Sequence, residues 1–280
     1  MNGLSLYQTT TFECSRRITQ LYSTSFTLGI KTLHPRFHDA IYGIYGFVRY
    51  ADEIVDTFHD YNKKNLLTRF RQETFQAIED KISLNPVLHS FQTVVNHYQV
   101  DHSLIVAFLD SMEMDLESSN HNLETYDQYI FGSAEVVGLM CLKVFVEGDQ
   151  QKYEELLEPA RKLGAAFQKV NFLRDIRSDF EDRGRVYFPG VDFSNFTLEA
   201  KKSIEMDIQK DFDEAFQGII KLPRGARLGV YLAYIYYMKL FQKIKHKNVT
   251  TILNQRVRVP DQMKLFLLVQ SYCKHKLNFL

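Results

Sequence analysis

Residues 164–179 read Gly164-Ala-Ala-Phe-Gln-Lys-Val-Asn-Phe-Leu-Arg-Asp-Ile-Arg-Ser-Asp179. On a helical wheel at about 100° per residue, Asn171, Asp175 and Asp179 fall within about 80° of one another, with Gln168 between them. The apolar residues form a separate face: Leu173, Ile176 and Phe180. The stretch therefore predicts an amphipathic helix that carries a stripe of amide and carboxylate oxygens along one side.

Helical periodicity continues along most of the chain. The sequence contains 13 Gly and 6 Pro among 280 residues, together about 7 %. In an ordinary soluble protein Gly and Pro together make up about 12 % of the residues. No run of alternating residues with hairpin turns is present. We predict an all-α, single-domain bundle over residues 1–280, with helices long enough to enclose a cavity. Apolar residues recur at i, i+3, i+4 and i+7 in these segments: 39–58, 66–81, 86–99, 101–117, 123–147, 151–182, 197–220, 225–246 and 259–277.

Charge and cysteine content exclude several classes of protein. Lys plus Arg equals Asp plus Glu at 34 each, which argues against nucleic acid as a partner because phosphate binding requires a basic excess. Cys14, Cys141 and Cys273 lie far apart and predict free thiols in a reducing compartment. The first twenty residues contain no apolar signal core, and the apolar run 228–238 is shorter than a membrane span. We expect a cytoplasmic protein, at most peripheral on the inner membrane face.

A second acidic segment covers residues 41–56, which read IYGIYGFVRYADEIVD. On the same wheel Asp52 and Asp56 project from the edge of the apolar face, Arg49 lies beside them, and Glu53 points further out. Burying carboxylates at such an edge is costly unless a cation compensates. The pair therefore indicates a cation site at the border of the core.

Two helices with aspartates at i and i+4 suit a divalent cation. Such residues lie about 5–6 Å apart, and Mg²⁺ takes one or two carboxylates together with substrate phosphates. A facing pair of these helices would make a magnesium–diphosphate clamp. A single D-x-x-x-D on a helix is more often a solvated face, and the spacing does not name the reaction. Arginines that would hold the remaining phosphate oxygens lie nearby: Arg49, Arg174, Arg177, Arg183 and Arg185.

Three runs of residues together resemble the squalene/phytoene synthase family, and within it the bacterial phytoene synthases. The resemblance extends over essentially the whole chain. The runs are Arg49-Tyr-Ala-Asp52-Glu-Ile-Val-Asp56, Gln168-x-x-Asn171-x-x-Arg174-Asp175-x-x-x-Asp179 and Arg185-Val-Tyr187-Phe-Pro.

The resemblance implies an isoprenoid-synthase helical fold around one central cavity. It also implies that a monomer joins two geranylgeranyl diphosphates head to head, with Mg²⁺, or Mn²⁺ as an alternative, and without NADPH. The implied metal ligands are Asp52, Asp56, Asn171, Asp175 and Asp179. The implied catalytic set adds Tyr45 and Tyr129 to the four aspartates. The implied substrate-binding residues are Ser23, Ser25, Phe26, Arg49, Gln168, Asn171, Arg174, Arg185, Tyr187, Tyr237 and Arg256.

Two departures from the family pattern concern the acidic and basic motifs. Relatives often carry two adjacent aspartates where this chain has Asp52-Glu53, a change that keeps the charge. The spacing from Asp179 to Arg185 is one residue longer than in many relatives. Either Arg183 or Arg185 is therefore the residue that holds diphosphate.

The resemblance leaves alternatives open. A C30 (dehydro)squalene synthase would use farnesyl diphosphate in the same fold, and a non-catalytic scaffold protein would have lost its metal aspartates. A terpene cyclase is disfavoured because Asp175 and Asp179 stand where a cyclase carries Ser and Glu. The apolar segment 228–238 is either a core helix facing the cavity or a membrane-facing patch that releases a lipophilic product.

Overall fold

The computed structural model describes residues 3–117, 122–191 and 196–276, and these form helices joined by short turns. No β-strand occurs in these ranges, which confirms the predicted all-α fold. A π-helical segment, Phe131–Glu135, joins α7 to α8. The helices are α1 (Gly3–Tyr22), α2 (Thr24–Lys31), α3 (His38–Asp56), α4 (Lys63–Asp80), α5 (Pro86–Tyr98), α6 (His102–Glu117), α7 (Leu123–Ile130), α8 (Val136–Val146), α9 (Gln150–Arg183), α10 (Leu198–Ile219), α11 (Arg224–Lys245), α12 (Val249–Asn254) and α13 (Asp261–Lys276).

The predicted segments match helices α3 to α11 and α13 within three residues at their described ends. The sequence predicted one helix over 123–147, whereas the structure divides this range into α7, the π-helical segment and α8. Helices α1, α2 and α12 are not among the predicted segments. Helix α1 is the longest of these, and its buried contacts are made by small polar residues: Thr11, Ser15 and Thr19.

Short polar side chains fix where several helices begin. The Asn85 side chain accepts hydrogen bonds from the backbone of Val87 and Leu88 at the start of α5, and Pro86 occupies the first helical position. The Asp149 side chain caps α9 in the same way. Such caps satisfy backbone N–H groups that have no partner within the helix. Sequence alone therefore sets the ends of these helices.

The apolar core consists of two clusters. One is built mainly from α3, α4, α5, α6 and α8, and the other mainly from α7, α9, α10 and α11. Helix α9, 34 residues long, packs against α8 and α10 and contacts α11 and α12. It therefore presents different faces to the different parts of the bundle.

Close packing of α9 against the π-helical segment depends on Gly164. A Cβ at this position would lie 2.6 Å from the carbonyl oxygen of Ala134, closer than any real contact. The missing side chain lets the two backbones approach. The Gln168 side chain, one turn further along α9, donates a hydrogen bond to Ser133 of the π-helical segment at 3.1 Å.

One helical stretch in the described residues, Leu123–Val146, is long and apolar enough to cross a membrane by length and composition. More than half of its apolar window, 56 %, is buried inside the protein, and it packs against α6 and α9. A core helix accounts for these features. The apolar segment 228–238 lies in α11, where several of its residues line the internal cavity.

Candidate active site

A cavity of about 720 Å³ lies between the two core clusters. Helices α2, α3, α8, α9, α10 and α11 contribute to its wall. The structure brings every residue predicted for the site to this wall. They are Ser23, Ser25, Phe26, Tyr45, Arg49, Asp52, Asp56, Tyr129, Gln168, Asn171, Arg174, Asp175, Asp179, Arg185, Tyr187, Tyr237 and Arg256.

Helix α3 supplies the first pair of aspartates. The side chain of Asp52 is 33 % exposed. Asp56 accepts a hydrogen bond from Arg185 at 3.0 Å. Desolvation raises the pKa of Asp52 to about 7; Arg49 opposes the rise, and the neighbouring Asp56 and Asp115 add to it. The carboxylates on this wall therefore repel one another, and a cation between them would stabilise the charged forms.

Glu53 corrects the helical-wheel prediction, which placed it pointing outward. The residue is 8 % exposed and forms an ion pair with Arg49, one turn earlier. The wheel was wrong here because it omits the long arginine side chain, which reaches its neighbour at i+4. The Nε–H of Arg49 is buried and has no acceptor among the described residues.

Helix α9 supplies the second pair. Asp175 lies between two guanidinium groups, with Arg174 at 2.5 and 3.0 Å and Arg256 at 2.7 Å. Asn171, one turn earlier, accepts a hydrogen bond from the hydroxyl of Tyr237 at 3.4 Å. These oxygens share the face of α9 that the sequence predicted.

The segment that follows α9 carries Arg185 and Tyr187, which contact residues of α3 and α6. Arg185 pairs with Asp56 of α3 and lies 3.4 Å from a carboxylate oxygen of Asp115 on α6. The hydroxyl of Tyr187 also lies 3.4 Å from Asp115. Of the two predicted alternatives, Arg185 lies in the cavity wall, and the side chain of Arg183 lies outside the described residues.

Two polar residues were not predicted from the sequence, Asp115 and Ser133. Asp115 stands seven residues after buried Phe108 and three after buried Met112, so it continues an apolar helix face. A carboxylate at that position was an available signal. Ser133 lines the cavity together with Tyr129 and Val137, which stand four residues before and after it, so its position on that helix face was also an available signal.

Aromatic rings surround the polar end. The rings of Phe26 and Tyr45 lie 5.5 Å apart, and those of Phe172 and Tyr187 stack at 4.0 Å. Burial is the main cause that raises the pKa of Tyr45 to about 12, so its phenol stays protonated at neutral pH. Such faces attract positive charge.

The remainder of the cavity is apolar. Helices α2, α3, α8, α9, α10 and α11 all supply apolar residues to this part of the wall. A long hydrocarbon chain whose charged head lies at the aspartates would be desolvated here. The apolar lining includes Leu142, Phe145, Leu156, Leu163, Ile219 and Leu222.

The donor set fits Mg²⁺. It consists of oxygen ligands on two helices, the set that a hard cation with several retained waters takes together with substrate phosphate. The described residues contain no ready-made cage of three or more His, Cys, Asp or Glu side chains. Asp56 and Asp175 are instead held by arginines, the side chains that would hold phosphate oxygens.

Comparison with known proteins identifies the family. The sequence profile of the squalene/phytoene synthase family matches residues 19–262. The chain is 28 % identical to phytoene synthase 1 of Solanum lycopersicum over 90 % of its length, and spans 65 % of that protein. It is 28 % identical to phytoene synthase of Arthrospira platensis, covering 92 % of this chain and 91 % of the other. It is 24 % identical to 4,4'-diapophytoene synthase of Staphylococcus haemolyticus over 71 % of this chain and 70 % of the other.

Solved structures share the fold. A dehydrosqualene synthase superposes with a TM-score of 0.82 at 21 % identity, covering 98 % of this chain and 99 % of the other. Squalene synthase HpnC from Alicyclobacillus acidocaldarius gives a TM-score of 0.74 at 18 % identity, covering 86 % and 95 %. These likenesses confirm the predicted isoprenoid-synthase helical fold. The family match over most of the chain, together with this fold, shows that the protein belongs to the squalene/phytoene synthase family.

Proposed function

We propose that this chain is a phytoene synthase. It condenses two geranylgeranyl diphosphates head to head, through the cyclopropyl intermediate prephytoene diphosphate, to phytoene. Two diphosphates and two protons leave in the process. The family consists of prenyltransferase-type enzymes that use prenyl diphosphates, and the C20 substrate and the requirement for Mg²⁺ are part of the proposal.

One observation carries the proposal. A single cavity joins an acidic and arginine-rich end to a long apolar body. The charged end suits diphosphate with a divalent cation, and the apolar body suits prenyl chains. All four aspartates stand in the wall, which argues against a non-catalytic scaffold.

The chain's own residues would bind and orient the substrates. Asp52, Asp56, Asn171, Asp175 and Asp179 would hold Mg²⁺. When bound, the cation supplies positive charge that stabilises the leaving diphosphate. Arg49, Arg174, Arg185 and Arg256 would hold the outer phosphate oxygens, and the serines at the start of α2, Ser23 and Ser25, would contact the same groups.

No nucleophilic side chain is required for the carbon chemistry. The C1–O bond of one substrate breaks to give an allylic cation, and the double bond of the other substrate attacks C1. Loss of a proton closes the cyclopropane, the second diphosphate leaves, and rearrangement with loss of a second proton gives phytoene without NADPH. The rings of Phe26, Tyr45 and Tyr129 would stabilise the cations and exclude water.

A C15 substrate is the second candidate. The fold matches a dehydrosqualene synthase at a TM-score of 0.82, and a diapophytoene synthase is 24 % identical. We favour C20 because seven phytoene synthases, at 24–28 % identity, match over 90–94 % of this chain. The diapophytoene synthase matches over 71 %.

We also propose that the protein is a cytoplasmic monomer that touches the inner membrane face to release its insoluble product. Tyr22 and Phe26 line the cavity and are 49 % and 40 % exposed, so they offer an apolar exit. Vesicle flotation tests the contact. Recovery of all the protein in the soluble fraction would count against it.

The test of function is incubation of the purified chain with Mg²⁺ and all-trans C15 or C20 diphosphate, without NADPH. Hexane extracts are analysed by chromatography with ultraviolet and mass detection. We expect a C40 triene from the C20 substrate, and no product from Asp52→Ala or Asp175→Ala. Asp39→Ala is the matched control, because Asp39 lies on the same helix as Asp52 but its side chain is 59 % exposed.

Each outcome decides a different part of the proposal. A C30 product from the C15 substrate alone would replace the substrate and keep the mechanism. Full activity of Asp175→Ala would overturn the metal site. No turnover of either substrate by a folded protein would favour the scaffold alternative.

A further inference from the structure

Asp115 is a buried carboxylate to which the proposed chemistry assigns no task. Its side chain is 4 % exposed and is absent from the cavity wall. It nevertheless contacts three side chains that are part of that wall: Tyr129, Arg185 and Tyr187. It therefore contacts residues of the site but does not itself line the cavity.

The contacts divide between its two oxygens. The hydroxyl of Tyr129 donates to Oδ2 at 2.8 Å. Oδ1 lies 3.4 Å from both the hydroxyl of Tyr187 and the guanidinium of Arg185. An ionised carboxylate only accepts hydrogen bonds, so Tyr129 turns its proton toward α6.

Arg185 depends on α6 for its position. One nitrogen donates to the backbone oxygen of Asp115 at 3.0 Å, and the other donates to Asp56 at 3.0 Å. The guanidinium is 9 % exposed and therefore has few alternative arrangements. Asp115 therefore supplies a second negative charge beside Arg185, in addition to that of Asp56.

The charge of Asp115 is maintained by this arrangement. Burial raises its pKa to about 6, and Arg185 and the hydrogen bond from Tyr129 limit the rise. A buried carboxylate without these donors would be far more costly. Asp115 is therefore mainly ionised at neutral pH, the form that pairs with Arg185 and accepts the hydrogen bond from Tyr129.

We propose that Asp115 is a positioning residue: it holds Arg185 at the diphosphate end of the cavity and fixes the direction of the Tyr129 hydroxyl. The identity of the bound group as a diphosphate rests on the proposed function. The placement of Arg185 and Tyr129 by Asp115 rests on the contacts alone.

The test uses inorganic diphosphate with Mg²⁺ and measures its affinity by titration calorimetry. Asp115→Asn keeps the shape but removes the charge, and its amide hydrogens face other donors. We expect the dissociation constant for diphosphate to rise about tenfold, the value of one charge-assisted hydrogen bond. Because Asp115 acts through Arg185, Asp115→Asn should add little further loss in an Arg185→Ala background.

Three further variants separate positioning from folding. Asp211→Asn removes an equally buried carboxylate, 2 % exposed, from the interface between α9 and α10, and should leave diphosphate affinity unchanged. Tyr129→Phe keeps the pair of Asp115 with Arg185, so it should lower kcat on the prenyl substrate but leave diphosphate affinity unchanged. Asp115→Glu retains the charge and should recover part of the affinity if Asp115→Asn does not fold.

Unchanged diphosphate affinity in folded Asp115→Asn would overturn the proposal, as would an equal loss in Asp211→Asn. Additive losses with Arg185→Ala would also overturn it. Failure of the proposed function gives a different result. A wild-type protein that binds diphosphate with Mg²⁺ but forms no prenyl product would contradict the function and leave the Asp115 comparison intact.

Discussion

Helix α9 contacts two clusters of charged side chains on different faces, and they are built differently. In the outer cluster, which lies at the interface between α9 and α10 away from the cavity, Lys169 lies 2.5 Å from Asp207 and 2.7 Å from Asp211, and Lys162 lies 3.4 Å from Asp211. Burial alone would lower the pKa of Lys169, but the two aspartates raise it. Two lysines and two aspartates thus balance one another.

The cluster on the cavity side has an excess of acid. It contains five carboxylates and four guanidinium groups: those of Asp52, Glu53, Asp56, Asp115 and Asp175, and those of Arg49, Arg174, Arg185 and Arg256. Desolvation raises the pKa of Asp52 to about 7 and that of Asp115 to about 6. A balanced buried cluster is complete within the protein, whereas an acidic one is stabilised by an added cation. The contrast distinguishes a structural ion cluster from a binding site.

The largest expected effect separates the two clusters by activity. Asp175→Asn removes a charged oxygen ligand and should lower kcat/KM with Mg²⁺ by about 1000-fold or more. Asp211→Asn should leave kcat/KM within about threefold of wild type, measured well below the unfolding temperature. Similar losses in the two variants would show that the clusters do not differ in function.

The reverse effect is expected for stability. Asp211→Asn leaves Lys169 with Asp207 as its remaining acidic partner and should lower the free energy of unfolding by about 1–3 kcal/mol. Urea unfolding measures this change. Glu214→Gln, in an exposed pair with Lys210 at 3.9 Å, should cost less than about 0.5 kcal/mol. A small effect of Asp211→Asn would mean that the outer cluster does not stabilise the fold.

Ligand addition should act on the cavity cluster alone. Mg²⁺ with inorganic diphosphate, at about 100 times the dissociation constant, should raise the free energy of unfolding by about 2.7 kcal/mol. The increment should persist in Asp211→Asn and disappear in Asp175→Asn. Chelation with EDTA should abolish it. An increment that survives in Asp175→Asn would place the ligand elsewhere.

The smallest expected effect concerns a buried histidine that belongs to neither charged cluster. His89 is 4 % exposed, and desolvation lowers its pKa from 6.5. As pH falls below about 6.5 the unfolded chain takes up a proton before the folded chain does, so the free energy of unfolding decreases. Between pH 7 and pH 5 the decrease should be smaller in His89→Gln. Parallel pH profiles for the two proteins would contradict the shift.

The acidic motifs could be predicted because the helix sets their geometry. Asp52 and Asp56, like Asn171 and Asp175, stand one turn apart in regular helices, and each pair faces the cavity as predicted. Their roles as metal ligands stay predictions. The residue spacing and the family resemblance together located the site.

Helix α1 could not be predicted because its contacts are polar. Ser15 shares a hydrogen bond of 2.7 Å with Ser90 of α5. A Cβ on Gly46 of α3 would lie 2.7 Å from the Ser15 hydroxyl. Small residues let these helices approach closely without an apolar stripe. Apolar periodicity, the main signal for a helix, does not register small polar residues that are buried in this way.

The sequence by itself determined the helical fold, most helix ends and the face that each acidic motif presents. Only the tertiary structure decided which cations those acids meet. Arg185 lies 129 residues from Asp56, and Arg256 lies 81 residues from Asp175. Helical spacing fixes the relation of residues up to about one turn apart. Ion pairs between distant segments depend on how whole helices pack, and no local pattern records that packing.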